Sequence, residues 1–223
     1  MQIKAVTFDV GGTLIEPWPS VGHVYCEIAN RHGIGGFTAE LLNARFNAAW
    51  RVHKNFNDTR AGWEELVNEV FQGLVSPGIC AEFFPELYDR FAQSEAWRIF
   101  DDVTPTLEML ASRGIRLGVI SNWDERLRIL LRRLLLDHHF ETIVISCEIG
   151  SGKPSPIIFE KAAAKFGLPP GAILHVGDSF ESDIAGARAA GFHARRIYRS
   201  AGEARKGDLH SLRELAEKVA GGD

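Results

Sequence analysis

Four short apolar runs of the chain are each followed by side chains that can bind ions or carry protons. In chain order these residues are Asp9, Ser121, Asn122, Lys153, Asp178 and Asp183. Carboxylates can hold a cation, and a lysine together with hydroxyl and amide groups can neutralise an anion. If the runs are neighbouring strands of one sheet, both kinds of charge converge on one crevice.

The placement of these residues depends on runs that predict β-strands. The runs are 3–8, 115–120, 142–146, 173–176 and 194–198, and helical patterns lie between the last four. This alternation predicts an α/β fold with a Rossmann-like, doubly wound parallel sheet that is covered by helices on both faces. Ligands of such sheets bind beyond the carboxyl ends of the strands, where the polar residues stand.

An insertion separates the first predicted strand from the second. The interval is about a hundred residues, far more than the dozen or so that a βαβ crossover needs. Apolar residues at helical spacing recur through 16–98, with breaks near 55–62 and 76–78. We therefore expect a Rossmann-like core formed by 1–15 and 99–223, and a small helical domain formed by 16–98.

Local signals predict where two helices of the core begin. Thr104 before Pro105 is typical of an N-cap followed by the first helical residue. Residues 209–220 carry the pattern of an amphipathic closing helix.

Composition narrows the functional class. The 25 basic and 29 acidic residues give a net charge of −4, which predicts no nucleic-acid or membrane partner. Arg128, Arg132 and Arg133 are expected to form a solvated helix face. The three cysteines are widely spaced, and no apolar run reaches the roughly 20 residues of a membrane span, so we expect a reduced protein in the cytoplasm.

Each polar residue also has a purely structural interpretation. Asp9 could form a turn before Gly11, and Ser121 could cap the following helix. Lys153 could be solvated, and the two later aspartates could flank a helix N-terminus. Because all of these residues occur in one chain at successive strand ends, a functional site is favoured over separate structural roles.

Taken in order, these residues resemble the motifs of the haloacid dehalogenase-like hydrolase superfamily. The motifs are Asp9–Leu14, Ser121, Lys153, and Gly177–Ser179 with Asp183, and the resemblance covers the whole chain. The inserted helical domain is similar to the family's cap of the first type. The run from Gly62 and Trp63 suggests the subgroup related to haloacid dehalogenase-like hydrolase domain-containing protein three.

The resemblance implies a nucleophile and a Mg²⁺ site. Asp9 would attack phosphorus and form an aspartyl-phosphate that water then hydrolyses. Negative charges must approach one another in this reaction, which calls for a cation between them. The implied ligands are the carboxylates of Asp9 and Asp178 and the backbone carbonyl of Gly11, with Asp183 in a supporting or water-mediated role.

The resemblance also implies how the substrate, a small phosphorylated molecule, is held. Lys153 would neutralise charge on Asp9 and on the phosphoryl oxygens, and Ser121, Asn122 and Gly12 would bind the phosphoryl group near a helix start. Thr13 would orient the loop that carries Asp9.

One functional residue of the family is missing. Its phosphatases place an Asp two residues after the nucleophile to protonate the leaving group and later activate water, and this chain has Gly11 there. General acid–base catalysis contributes roughly 10²–10⁴-fold, so alkyl phosphates should react slowly. Acyl or aryl phosphates, which leave as stable anions, should be affected least.

Four functions remain open on this basis. The first is a weak or specialised Mg²⁺-dependent phosphatase, and the second is a protein that binds phosphate or metal without turnover. The third is a haloacid dehalogenase, which lacks the same Asp but has no use for the metal-type fourth motif. The fourth is a phosphonoacetaldehyde hydrolase, with Lys54 as the residue that forms its Schiff base.

Aromatic and basic residues of the helical domain are candidates for substrate selection. They are Trp18, Arg45, Trp50, His53, Lys54, Arg60 and Trp63. The helical spacing of Trp50 with Leu42 and Phe46 favours a core position for this tryptophan. His175 is expected to be a core histidine with satisfied hydrogen bonds, and Trp123 either touches a ligand or packs on its own helix.

Overall fold

A computed structural model describes residues 2–53, 56, 58–199 and 205–215 of the 223-residue chain. The strands are β1 (Ala5–Phe8), β2 (Ile15–Pro17), β3 (Trp97–Ile99), β4 (Arg116–Ser121), β5 (Thr142–Ile145), β6 (Ile173–Gly177) and β7 (His193–Arg196). The helices are α1 (Val21–Arg31), α2 (Ala39–Val52), α3 (Arg60–Phe71), α4 (Cys80–Arg90), α5 (Val103–Ser112), α6 (Arg126–Arg133), α7 (Ser146–Ile149), α8 (Pro156–Phe166) and α9 (Gly186–Ala189). A π-helical segment, Phe180–Ala185, precedes α9.

The central sheet confirms the predicted fold class. Its order is β5-β4-β1-β6-β7, and every pair is parallel. β1 is the middle strand, with Phe8 opposite Val119 of β4 on one side and Val176 of β6 on the other. Its four residues are all buried, as expected for a strand with neighbours on both edges and helices on both faces.

The chain divides into two compact units, Met1–Ile15 with Ile99–Asp223 and Glu16–Arg98. The prediction that these units are a Rossmann-like core and a cap stays a prediction. β2 and β3 form a separate two-stranded sheet that the sequence pattern did not predict.

The helical unit has its own apolar core. Helices α1 to α4 bury Ile28, Leu42, Leu66 and Phe71 completely. The prediction that Trp50 belongs to this core is wrong, because its side chain is 42% exposed. It lies on the surface of the unit in an aromatic stack with Phe46 and Trp63, at ring distances of 6.0 and 5.7 Å.

Two predicted helix boundaries differ from the structure. α5 begins at Val103, so Thr104 lies within the helix and is not its N-cap. The closing helix is described only for 213–215, later than the predicted start at 209, and residues 216–220 lie outside the described residues.

Arg128, Arg132 and Arg133 are exposed, which confirms the solvated face expected for α6.

A buried ion pair lies at the start of α5. The Asp102 carboxylate caps no helix, and its Oδ2 accepts hydrogen bonds from Arg199 Nη1, the Ser211 hydroxyl and the Leu212 backbone N–H, at 2.7, 2.8 and 2.8 Å. Burial opposes ionisation, but these donors outweigh it and lower the pKa of Asp102. Arg199 also donates to the Thr13 carbonyl at 2.7 Å, so the same network reaches the loop after β1.

Replacing Asp102 should therefore destabilise the protein strongly. Asp102→Ala leaves the Arg199 guanidinium half-buried without its carboxylate, and we expect a loss of about 3 kcal/mol in the free energy of unfolding, measured by denaturant titration. The neighbouring exposed Asp101→Ala is the matched control and should change stability by less than about 0.5 kcal/mol. Equal losses in the two variants would contradict this account.

Candidate active site

The sheet brings the predicted residues together at the carboxyl ends of its three central strands. Asp9 follows β1, and its backbone N–H still donates to Val176 of β6 at 2.9 Å. Ser121 ends the neighbouring strand β4, and Asp178 follows β6 directly. Because parallel strands end at the same edge, Asp9, Ser121 and Asp178 meet there, and the loop after α7 adds Lys153.

The Asp9 carboxylate is held from two sides. Its Oδ1 accepts a hydrogen bond from the Ser121 hydroxyl at 2.8 Å and from the Lys153 ammonium at 2.7 Å. Among the described residues, no hydrogen bond ends on Oδ2. Ser121 was predicted to bind the phosphoryl group, and in this structure its hydroxyl positions Asp9. Its contact with a phosphate stays a prediction.

Lys153 is buried between two carboxylates. Its side chain is 2% exposed, and Nζ donates to Asp183 Oδ1 at 2.6 Å as well as to Asp9. Burial disfavours the charged ammonium, but Asp183 and Asp9 outweigh it, so the pKa of Lys153 is raised. The lysine therefore carries a fixed positive charge beside the carboxylate of Asp9.

Asp183 is the partner that keeps this lysine in place. Its own burial would raise its pKa, but Lys153 and His175 outweigh this effect and lower it. Oδ2 accepts from the Ser179 backbone N–H at 2.9 Å, which ties the turn after β6 to the carboxylate. A Cβ at Gly177 would collide with the Asp183 side chain, so the glycine permits this close approach.

His175 is fully buried and has a partner at each ring nitrogen, which confirms the expected core histidine. Nδ1 lies 3.0 Å from the Thr7 hydroxyl and Nε2 lies 3.1 Å from Asp183 Oδ1. Burial lowers the pKa of His175, which favours a neutral ring that donates from Nε2 to Asp183. Sequence reasoning missed this contact, and the only signal for it was that His175 lies on the strand that leads to Asp178 and Asp183.

Asn122 holds the backbone of Lys153. Its side-chain Nδ2 donates to the Lys153 carbonyl at 2.9 Å, and its Oδ1 accepts from the Lys153 N–H at 2.6 Å. The amide group thus fixes the loop that delivers the lysine, a role the sequence did not indicate. The predicted contact between Asn122 and phosphate remains untested.

The predicted helix start beside Ser121 and Asn122 is wrong. α6 begins at Arg126, after a loop in which the buried Asp124 carboxylate accepts from the Arg126 backbone N–H at 3.0 Å and from its Nε at 2.8 Å. This local ion pair fixes the loop in place of a helical turn. An anion bound near Ser121 would thus meet loop backbone there.

Thr13 contributes through its backbone. Its N–H donates to the Val10 carbonyl at 3.3 Å, and its own carbonyl accepts from Arg199. The Thr13 hydroxyl is buried and has no hydrogen-bond partner within the described part of the chain. The predicted orientation of the Asp9 loop is therefore consistent with backbone contacts of this residue.

Three carboxylates could hold a metal ion. Ligand oxygens of Asp9, Asp178 and Asp183 all lie within 4.8 Å of one another. Restricted solvation and the negative charges of Asp9 and Asp183 raise the pKa of Asp178 to about 7, although this side chain reaches solvent. Oxygen donors with uncompensated negative charge suit a hard divalent cation such as Mg²⁺.

The glycines after Asp9 accommodate this cluster. Gly12 has a φ of +70°, and a Cβ there would lie 2.6 Å from Asp178 Oδ2. A side chain at position 12 is therefore excluded by both backbone conformation and space. The predicted use of the Gly11 carbonyl as a metal ligand remains untested.

Most candidate residues of the helical unit have partners within it. His53 pairs with Glu69 at 2.8 Å, Arg45 donates to the Val70 carbonyl, and the Arg60 guanidinium lies 5.1 Å from the ring centre of Tyr88. Trp18 is 43% exposed and lies under the Arg98 guanidinium. Lys54 lies outside the described residues.

The fold and this acidic site define a Rossmann-like α/β protein with a lysine-supported carboxylate at the end of its central strand. A family model described as "haloacid dehalogenase-like hydrolase" matches residues 3–191. The chain belongs to the haloacid dehalogenase-like hydrolase family, as its motifs indicated.

Similar proteins agree with this assignment. The chain is 31% identical to haloacid dehalogenase-like hydrolase domain-containing protein 3 of Danio rerio, over 99% of this chain and 96% of that protein. It is 32% identical to a glyceraldehyde 3-phosphate phosphatase of Methanopyrus kandleri, over 89% and 85% of the two chains. A 2-haloacid dehalogenase structure from Pseudomonas syringae pv. Tomato DC3000 superposes with a TM-score of 0.67 at 27% identity, over 98% and 99% of the chains.

The helices of the described residues are too short or too polar to cross a bilayer.

The two later aspartates should differ in their effect on stability. Asp183→Asn leaves Lys153 buried with one carboxylate fewer, and we expect a loss of roughly 3 kcal/mol in the free energy of unfolding. Asp178→Asn removes a charge that its neighbours repel and should stabilise the metal-free protein. Denaturant unfolding in a chelator measures both variants.

The stabilisation by Asp178→Asn should depend on pH. Because the folded-state pKa of Asp178 is raised to about 7, native protein loses stability as pH rises from about 4 to 7, and the variant does not. The difference in the free energy of unfolding between variant and native protein should be constant above pH 8. A variant that is less stable than native protein at pH 8 in chelator would contradict the repulsion.

Proposed function

We propose that the protein is a Mg²⁺-dependent phosphatase that acts on a small phosphorylated metabolite through an aspartyl-phosphate on Asp9. The observation that carries this proposal is the environment of one carboxylate. Asp9 has a fixed cation, Lys153, at 2.7 Å, and a carboxylate oxygen of Asp178 lies within 4.8 Å of one of its own. This arrangement provides a nucleophile and two places where phosphoryl charge can be neutralised.

In the first step, formation of the aspartyl-phosphate, each residue of the site has a separate role. A carboxylate oxygen of Asp9 attacks phosphorus, and the bond to the leaving-group oxygen breaks with its electron pair. Lys153 and Ser121 hold Oδ1, so Oδ2 remains available for phosphorus or metal. A bound Mg²⁺, held by Asp9 and Asp178, would supply positive charge between the reacting anions.

The second step returns Asp9 to its free form. Water attacks the phosphorus of the aspartyl-phosphate, loses a proton to solvent, and displaces the carboxylate. Asp183 acts through Lys153 and through the Ser179 backbone, both of which it holds in position. No side chain at position 11 can take the proton from this water.

The acidic cluster, and not the names of similar proteins, supports a phosphatase over a dehalogenase. One relative carries the name glyceraldehyde 3-phosphate phosphatase, and one similar structure is described as a 2-haloacid dehalogenase. A halide leaves without bridged phosphate charge, so dehalogenation gives no reason for clustered carboxylates at Asp9, Asp178 and Asp183. The acidic cluster therefore favours phosphoryl chemistry.

We assign the two units the roles of catalytic core and substrate-selecting cap. The core is 1–15 with 99–223, which carries every residue of the acidic site, and the cap is 16–98. The free cysteines Cys26, Cys80 and Cys147 support a reducing compartment, the cytoplasm.

Release of phosphate tests the proposal. With Mg²⁺, native protein should release inorganic phosphate from acetyl phosphate and 4-nitrophenyl phosphate, and Asp9→Asn should reduce the rate by at least about a thousandfold because it removes the nucleophile. Chelation of the metal should have a similar effect. Exposed Asp101→Asn is the matched carboxylate control and should retain native rates.

The same assay distinguishes the phosphatase from the second candidate, a protein that binds phosphate or metal without turnover. The absence of an acid at Gly11 favours this second candidate. Binding of phosphate in calorimetry without any Asp9-dependent release from either substrate would establish that alternative and overturn the phosphatase.

A further inference from the structure

Position 11 faces an aromatic ring. A Cβ built on Gly11 would lie 3.2 Å from Cζ3 and 3.8 Å from Cη2 of Trp123. Ordinary carbon contacts lie at about 3.5–4.0 Å, so even an alanine would press on the ring. The indole therefore crowds the position at which a side chain on residue 11 would begin.

The backbone of Trp123 is fixed on both sides. Its N–H donates to the Ser146 hydroxyl at 2.9 Å, and its carbonyl accepts from the same hydroxyl at 3.1 Å and from the Cys147 N–H at 3.3 Å. The next residue, Asp124, is fully buried and paired with Arg126. A ring on such an anchored segment yields little to a new neighbour.

The ring is carried by the segment that begins at Ser121, a hydrogen-bond donor of the reacting carboxylate. Gly11 is two residues after Asp9, and Trp123 is two residues after Ser121, whose hydroxyl bonds to Asp9. The Asp9 side chain keeps 12% exposure, compared with 2% for Lys153. Trp123 is itself half-buried, so both the carboxylate and part of the indole are open to a ligand.

We infer that Trp123 is a specificity-determining residue whose indole forms an aromatic wall beside Asp9 and contacts the leaving group. The inference rests on the proposed phosphatase function and names its substrate class, phosphate esters of planar aryl or enol groups. An indole offers such a group a flat apolar surface. A Cβ at position 11 would press on this indole, and Gly11 itself offers no proton donor, so the class must leave without one.

The chemistry of this class balances without an acid in the site. Asp9 forms its bond to phosphorus, the ester P–O bond breaks, and the electron pair stays on the aryl or enol oxygen. Delocalisation into the planar group stabilises that anion, which takes its proton from solvent after release. An alkoxide has no such stabilisation and would leave slowly.

Leaving-group selectivity tests the wall. Trp123→Leu should raise KM for 4-nitrophenyl phosphate about tenfold, since stacking on the indole is lost. It should change kcat/KM for acetyl phosphate less than about threefold, because acetate offers little surface to the ring. Trp123→Phe keeps an aromatic face and should restore most of the aryl selectivity.

Outcomes of this assay separate the inference from the function on which it rests. Equal changes in kcat/KM for the two substrates in Trp123→Leu, with Asp9-dependent turnover retained, would contradict the role of Trp123. The proposed phosphatase function would then still stand. Absence of Asp9-dependent release by native protein would refute the phosphatase, and with it the substrate class.

A second measurement begins with thermal stability, which needs no catalysis. Gly11→Asp should lower the thermal midpoint by several degrees in native protein and by clearly less in Trp123→Ala, because the smaller residue leaves room for the new carboxylate. Turnover of an alkyl phosphate should rise in Gly11→Asp/Trp123→Ala and not in Gly11→Asp. Equal thermal shifts in the two backgrounds would show that the ring does not control position 11.

Discussion

The structure of the site depends on one buried ammonium group held between two carboxylates. Lys153 could not remain charged at 2% exposure without Asp9 and Asp183, each within 2.7 Å of its Nζ. The surrounding hydrogen bonds hold the side chains of Asp9, Lys153 and Asp183 in position. Asn122 fixes the lysine backbone, and His175 fixes Asp183. A structural ion pair and a candidate catalytic charge are therefore the same interaction.

A second carboxylate close to Asp9 adds negative charge to the site. Asp178 lies near Asp9 and Asp183, and restricted solvation together with their negative charges raises the pKa of its carboxyl. The close approach is possible because Gly12 has no side chain. In the metal-free protein this arrangement costs stability, and a divalent cation would remove that cost. Such stored repulsion is common where a protein is built to bind a cation.

The contact between Gly11 and Trp123 changes how the missing acid is understood. A glycine alone would leave an empty position that one mutation could refill. The indole against it shows that two segments distant in sequence, the turn after β1 and the loop after β4, are fitted to each other. Selectivity for the leaving group is thus a property of the pair.

The sequence by itself determined the family, the parallel sheet and the order of the site residues, because apolar strand runs and short motifs are local patterns. It did not determine what those side chains touch. The contacts of Asn122 with Lys153 and of Trp123 with Gly11 join residues far apart in the chain, and that of His175 with Asp183 joins a strand to the segment after its turn. Helical spacing likewise placed Trp50 in a core, although its ring lies on the surface. Such contacts depend on the way helices and loops pack around the sheet, which spacing along the chain does not encode, so only the tertiary structure decided them.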